Sequence, residues 1–331
     1  MKRVSKLSVA LLFLTFICAR AEAKVWRVNN VPNVVADFKD LGVALASPLV
    51  LPYDTIYLEG STTSYPSTTL RKRLVIIGAG YNLSGASGNS GLQFNNSPSR
   101  VASLQVDSSA SGSTFMGIYS LFYVNSNVDS LTFSRCEINI QQNSFSPNSK
   151  MAGIVINKCY GGISLSSYTL ENPVITNCIF TTPVSLTSVI NGLFRNNVCG
   201  ASISLSNSYV ANNYFQNSTT FSNCTVKYNV AALVSALPTG NNNIAPVNVS
   251  TMFVAAGSND AQYQLRPGSP GIGAGEPIGG VTPDVGAFGT ADPYRLSGIP
   301  PIPTIYSLTV PTSVPASATN ITVTFSTRSN N

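Results

Sequence analysis

The sequence predicts an all-β fold, a parallel β-helix solenoid with a short N-terminal capping helix and a small C-terminal β tail. Three observations carry this. First, residues 128–230 repeat: Met151, Leu170, Val189, Leu205 and Phe221 share one column, with Val128 as an earlier member. Second, companion columns keep step with it. Gly153, Asn172, Asn191, Asn207 and Asn223 fall two residues on; Phe133, Ile156, Ile175, Phe194, Val210 and Val226 fall five on; Cys136, Cys159, Cys178, Asn197, Asn213 and Asn229 fall eight on. Third, the steps between copies are 23, 19, 19, 16 and 16 residues, the length of one coil rather than of a helical repeat. Each copy is too short to bury its own apolar face, so like must stack on like. Asn recurring in one column suits amides bonded up and down the stack. The shortening from 23 to 16 residues predicts a taper.

Composition agrees. Apolar residues make up 44% and charged residues only 10%, against a globular norm of about 25%. Asn, Ser and Thr must cover the surface, as in β-rich extracellular proteins. The formal charge of +6 includes four cations and one acid within residues 1–23; the remainder carries 15 cations and 12 acids, a net of +3. The single basic cluster, Arg71-Lys72-Arg73, is too short for a nucleic-acid footprint.

Taken in order, residues 1–23 read as a secretory signal peptide. Lys2, Arg3 and Lys6 precede a 12-residue apolar run at 7–18 and an Ala21-Glu22-Ala23 cleavage site. Cys18 offers a lipoprotein alternative, which bulky Phe16 and Ile17 disfavour. A run of 12 is too short to span a bilayer, which takes about 20 residues, and no later stretch is longer. The chain is therefore expected outside the cell or on its surface. The β-helix domain is expected over 24–295, a Pro-rich linker at 298–303, and a tail hairpin from 305–310 and 321–325. A helix capped by Asp37 over 37–46 should cover the open end of the stack. Strands are expected at 25–29, 54–59 and 73–78, and a short one at 252–254. Gly78-Ala79-Gly80 lacks both a third glycine and a following helix, so it reads as a turn and not a dinucleotide site.

The five cysteines after residue 23 cannot all pair, and their spacing follows the coils. Packing as small buried side chains is the expectation. With no His and no C-x-x-C, no metal or other cofactor is expected.

The stretch Tyr263-Gln264-Leu265-Arg266-Pro267, then Ser269-Pro270-Gly271-Ile272-Gly273-Ala274-Gly275 and Asp284-Val285-Gly286-Ala287-Phe288, resembles the closing module of secreted right-handed parallel β-helix proteins of the pectate-lyase-like superfamily. The resemblance spans about 25–295. It implies a fold and leaves activity open, because that fold hosts lyases, hydrolases, adhesins and inert scaffolds. Hydrolases of the group use clustered Asp with a nearby His, and lyases a calcium site with an Arg or Lys base. Here the Asp residues are scattered, the repeats hold only Asp129, Glu137 and Glu171, and Ser-His-Asp chemistry is excluded by the missing His. Glu59 and Glu171 lack an identifiable partner. Arg135 and Lys158 share a column that reads as a solvated edge.

No catalytic residue is therefore assigned. The expectation is a monomeric, non-catalytic surface protein, adhesive or associated with polysaccharide, with a lyase or hydrolase as the alternative. Tyr160, Tyr209 and Tyr214 are the candidate binding residues, since Tyr offers an apolar ring and a polar tip to a sugar. Tyr119, Tyr123, Tyr168 and Tyr228 lie near them. Ile179 and Val198, between Tyr160 and Tyr214 in one column, weigh toward packing.

Overall fold

The computed structural model describes residues 23–143 and 149–330. The expected signal segment, Cys18 included, lies outside the described residues except for Ala23. The chain forms a parallel β-solenoid of about nine turns. Its first sheet has ten strands, from Val25–Val28 at one end to Thr225–Lys227 at the other. Among the described residues, a second sheet of eleven strands lies across the core, and a third holds only Lys150–Ala152, Thr169–Glu171 and Val189–Ile190. Among the described residues no helix is long and apolar enough to cross a membrane.

The predicted columns meet in space. Phe133, Ile156, Ile175, Phe194, Val210 and Val226 pair in succession and are buried. Phe115 of the preceding coil stacks on Phe133 at 5.0 Å, and Phe180 reaches across from the second sheet to stack on Phe194 at 5.8 Å.

The polar columns divide into two kinds. Gly153, Asn172, Asn191, Asn207 and Asn223 all have φ between 42° and 65°, so this column is a left-handed corner where Gly and Asn cost least. The other column carries the amide ladder. Asn197 N–H donates to Asn213 Oδ1, and Asn213 N–H to Asn229 Oδ1, each at 2.9 Å. Asn243 extends the ladder by one rung beyond the predicted repeat. Toward the N-terminus the same position becomes sulfur, with Cys159 N–H on Cys178 Sγ at 3.4 Å. The five cysteines among the described residues are free thiols, and of these only Cys224 is less than fully buried. Burial pushes the Cys136, Cys159 and Cys199 thiols well above their ordinary value.

The taper has a specific form that corrects the alignment. Met151, Leu170 and Val189 pair in register, but Leu205 sits on Leu186, not on Val189. The 16-residue coils have lost the third sheet: the second-sheet strand Ile203–Ser206 turns at Asn207 directly into the first-sheet strand Ser208–Ala211. Phe221 pairs with Leu205 as aligned.

Other boundaries move as well. The helix is Leu41–Ala46 and its N-cap is Asp40, which accepts from Val43 N–H at 3.2 Å. Asp37 instead accepts from Arg27 N–H, while Phe38 bridges Val28, so residues 37–38 block the outer edge of the first strand. Leu41, Ala44 and Leu45 join the core against the terminal strand Thr68–Leu70. Met252 ends a one-turn helix, Val249–Met252, and Phe253 bridges Leu265. The tail hairpin pairs Thr304–Thr309 with Thr324–Arg328, leaving Ile321 outside.

The segment 244–300 forms a strap that returns along the solenoid over the corner between the first and second sheets. Gly286 N–H donates to Asn212 O, Asn177 Nδ2 to Ala287 O, and Arg135 Nη1 to Ile299 O. The first half of the expected linker is thus part of the body, with residues 297–300 buried. Gly298 has φ 57°, and a Cβ there would lie 2.1 Å from Arg135 O, so only glycine lets the strap come this close.

Candidate binding face on the second sheet

Alternation in the second-sheet strands sets the site. In Tyr119–Val124, Ser120, Phe122 and Val124 point inward, so Tyr119, Leu121 and Tyr123 stand together on the outer face. Register places Arg100 and Glu137 on either side of Tyr119, and Gln105 and Gln141 on either side of Tyr123. Asn139 neighbours Leu121, and Tyr160 follows Glu137. The two rings of the strand are about 13 Å apart at ~3.3 Å per residue, and neighbouring coils about 4.8 Å apart. The result is a flat face of half-buried Tyr rings among amide groups.

Its margins are built by insertions. Between Gly161 and Ile163 a single residue, Gly162, faces Thr181, Thr182 and Pro183 of the next coil. That bulge folds over Gly162, where a Cβ would lie 1.9 Å from Thr182 Oγ1. The corner side is closed by residues 81–98 and the strap, locked together around buried Asp260. Its carboxylate accepts from Asn89 Nδ2 at 2.8 Å, Ser258 Oγ at 2.7 Å, Ser297 N–H at 2.7 Å and Tyr294 OH at 3.1 Å.

The electrostatics centre on Glu137. Its Oε2 is buried and makes no hydrogen bond among the described residues. Burial raises its carboxyl to about 7, with Asp260 adding to the shift and Arg100 opposing it. Arg100 lies over the Tyr119 ring at 4.5 Å and forms no ion pair among the described residues.

The three tyrosines singled out from sequence fall in different places. Tyr160 is on this face, half-buried, 6.3 Å from the Tyr81 ring, with burial pushing its hydroxyl up to about 12. Tyr214 shares its column but is fully buried, packed edge-on against Phe253 at 4.8 Å, and its hydroxyl has no partner among the described residues. Tyr209 lies on the first sheet and donates to Glu276 Oε2 at 2.5 Å. Glu276 also meets Lys227 at 2.7 Å and Arg195 at 3.2 Å. Burial alone would raise that carboxyl, but the Lys227 and Tyr209 hydrogen bonds hold it below the ordinary range. The pair Arg135 and Lys158 is a correction: neither side chain is solvated. Each is about 5% exposed beneath the strap, with Arg135 on the Ile299 and Asn330 carbonyls and Lys158 on Asp292.

Tyr119, Tyr123, Arg100 and Gln105 went unassigned from sequence because the insertion at 81–98 hides the register of their coils. Period-two spacing of Tyr119 and Tyr123 was the available signal. No family model, no curated protein and no solved structure matches this chain.

Proposed function

We propose that this is a non-catalytic extracellular or cell-surface protein that associates with polysaccharide through the outer face of its second sheet. The observation that carries the reading is the pair Tyr119 and Tyr123 on one strand face, flanked in register by Gln105, Asn139 and Gln141. Rings that bury sugar faces beside amides that bond hydroxyls suit a glycan chain lying across the coils. Secretion is supported by the character of residues 1–23, and a right-handed coil of the pectate-lyase-like kind by the closing motif. Depletion of the purified protein by a panel of soluble and insoluble polysaccharides tests the reading. At least one should retain it, and Tyr123→Ala should weaken retention by tenfold or more while shifting stability by only about 1 kcal/mol. Retention by none would leave a passive spacer.

A second reading, a lyase or hydrolase, is favoured by one observation: on the same face Glu137 Oε2 is buried with no hydrogen-bond partner among the described residues, and burial raises the carboxyl to about 7. Release of reducing ends from a retained polysaccharide, abolished in Glu137→Gln, would replace the first reading with this one.

A further inference from the structure

Between the strap and the tail hairpin lies a cleft of about 340 Å³, at the lower end of the ~300–1,000 Å³ of small-molecule sites. Its lining sets Leu92, Phe288 and Ile299 beside Arg295, Arg328 and Gln264. Nε of Arg295 and Nε of Arg328 are both buried, and neither donates to any group among the described residues. The Arg328 guanidinium does donate through Nη2 to Leu92 O, but its Nε and that of Arg295 remain unmet. Leaving donors of a charged group unpartnered and out of water is expensive, so two in one cleft require an explanation.

The surroundings deepen the deficit. Arg135 and Lys158 lie beneath the strap at the same corner, 5% and 4% exposed. Among the described residues, the carboxylate these cations share is Asp292, whose side chain is 73% exposed and engaged by Lys158. Asp260 lies under Tyr294, but its oxygens are saturated by four donors. Arg135 is held below its ordinary value by burial first and by the Arg295 charge second, so the cations act on one another.

We propose that this cleft binds a small organic anion with one compact oxyanion head and an apolar, ring-sized body. The planar guanidinium groups of Arg295 and Arg328 supply the forked donors that carboxylate, phosphate and sulfate heads share. Leu92, Phe288 and Ile299 receive the body. The site is separate from the glycan face and does not depend on it.

Calorimetric titration and thermal melts of the full chain at low ionic strength test the proposal. The probes are benzoate, phenyl phosphate and phenyl sulfate, which distinguish the heads, with inorganic phosphate and benzyl alcohol as controls. At least one aromatic anion should bind, raising Tm by on the order of 5 °C at a hundredfold excess over its Kd. Inorganic phosphate should bind at least tenfold more weakly, and benzyl alcohol should leave Tm unchanged. Arg295→Gln should weaken the bound anion tenfold or more while its own unliganded Tm holds or rises, because a repelling charge has gone. Arg328→Gln provides the same readout from the hairpin side, and Arg295→Lys should fall between. Binding of none of the three anions, inorganic phosphate binding as well as they do, or both glutamine variants retaining the original affinity would overturn the proposal.

Discussion

One outward column of the second sheet runs Arg100, Tyr119, Glu137, Tyr160, Ile179, Val198, Tyr214, Val230. Its first four members are polar or aromatic, with Arg100 exposed and Tyr119, Glu137 and Tyr160 half-buried. Its last four are buried in a separate cluster with Met252, Phe253, Val285 and Ala287 of the strap. The column stays in parallel register throughout, while its strands shorten to two residues at Val198–Cys199, Tyr214–Phe215 and Val230–Ala231; the cover changes as well. A solenoid strand has two outer options, water or another layer, and the residue at each rung records which one it meets. The switch comes between Tyr160 and Ile179, beside the bulge that walls the binding face.

Three perturbations test this contrast. The largest is Val198→Asp, which places a charge without a partner between the sheet and the strap. A loss of about 4 kcal/mol or more is expected in denaturant unfolding, with early proteolysis across 244–300. Unchanged stability would mean the strap is only loosely seated.

Next is the column one step back along each strand, which is Cys at 136, 159 and 178 and Asn at 197, 213 and 229, so sulfur gives way to amide one coil after the cover begins. Asn213→Leu removes the acceptor for Asn197 N–H and Nδ2 and the donor to Phe194 O, an expected cost of about 2–4 kcal/mol. Cys159→Ala, which removes packing but little hydrogen bonding, should cost about 1 kcal/mol. Equal losses would show that the amide ladder adds nothing over stacking.

The third effect is graded with pH. Because the Glu137 carboxyl is raised from 4.5 to about 7, the folded chain keeps a proton that the unfolded chain releases. Its contribution is complete below about pH 4.5 and fades as pH rises through 7. Glu137→Gln should remove that slope, worth at most about 3 kcal/mol. Glu276 and Asp292 act oppositely: their carboxyls are held low, so their contribution is present above the ordinary carboxylate range and lost on further acidification. Maximum stability is therefore expected on the acid side of neutrality, and a flat profile between pH 5 and 8 would contradict it.

The coil was legible because stacking writes the same residue type at the same step, as the Phe133-to-Val226 column shows. Its limits have equally local causes. Leu205 fits two columns because deleting three residues removes a whole sheet without changing the apolar pattern on either side. Arg135 and Lys158 occupy left-handed corners, with φ 54° each, and their burial depends on a strap more than 100 residues further along. Charge alone suggested solvent there. Half of the binding face could be traced through Glu137 and Tyr160; Arg100 and Gln105 could not, since their partners are set by a loop whose length carries no periodicity.

The strap also dictates an order of events. Tyr81 meets Tyr294 and Asn89 meets Asp260, contacts joining parts of the chain 213 and 171 residues apart. Coils can form one upon another as they are made, through contacts about 20 residues apart. Ile179, Val198, Tyr214 and Val230, however, stay uncovered until the strap arrives, with Phe253 reaching Tyr214 and only later Gly286 reaching Val198. Chains halted before that point would present a sticky flank to one another, and closure should be the slow step of folding.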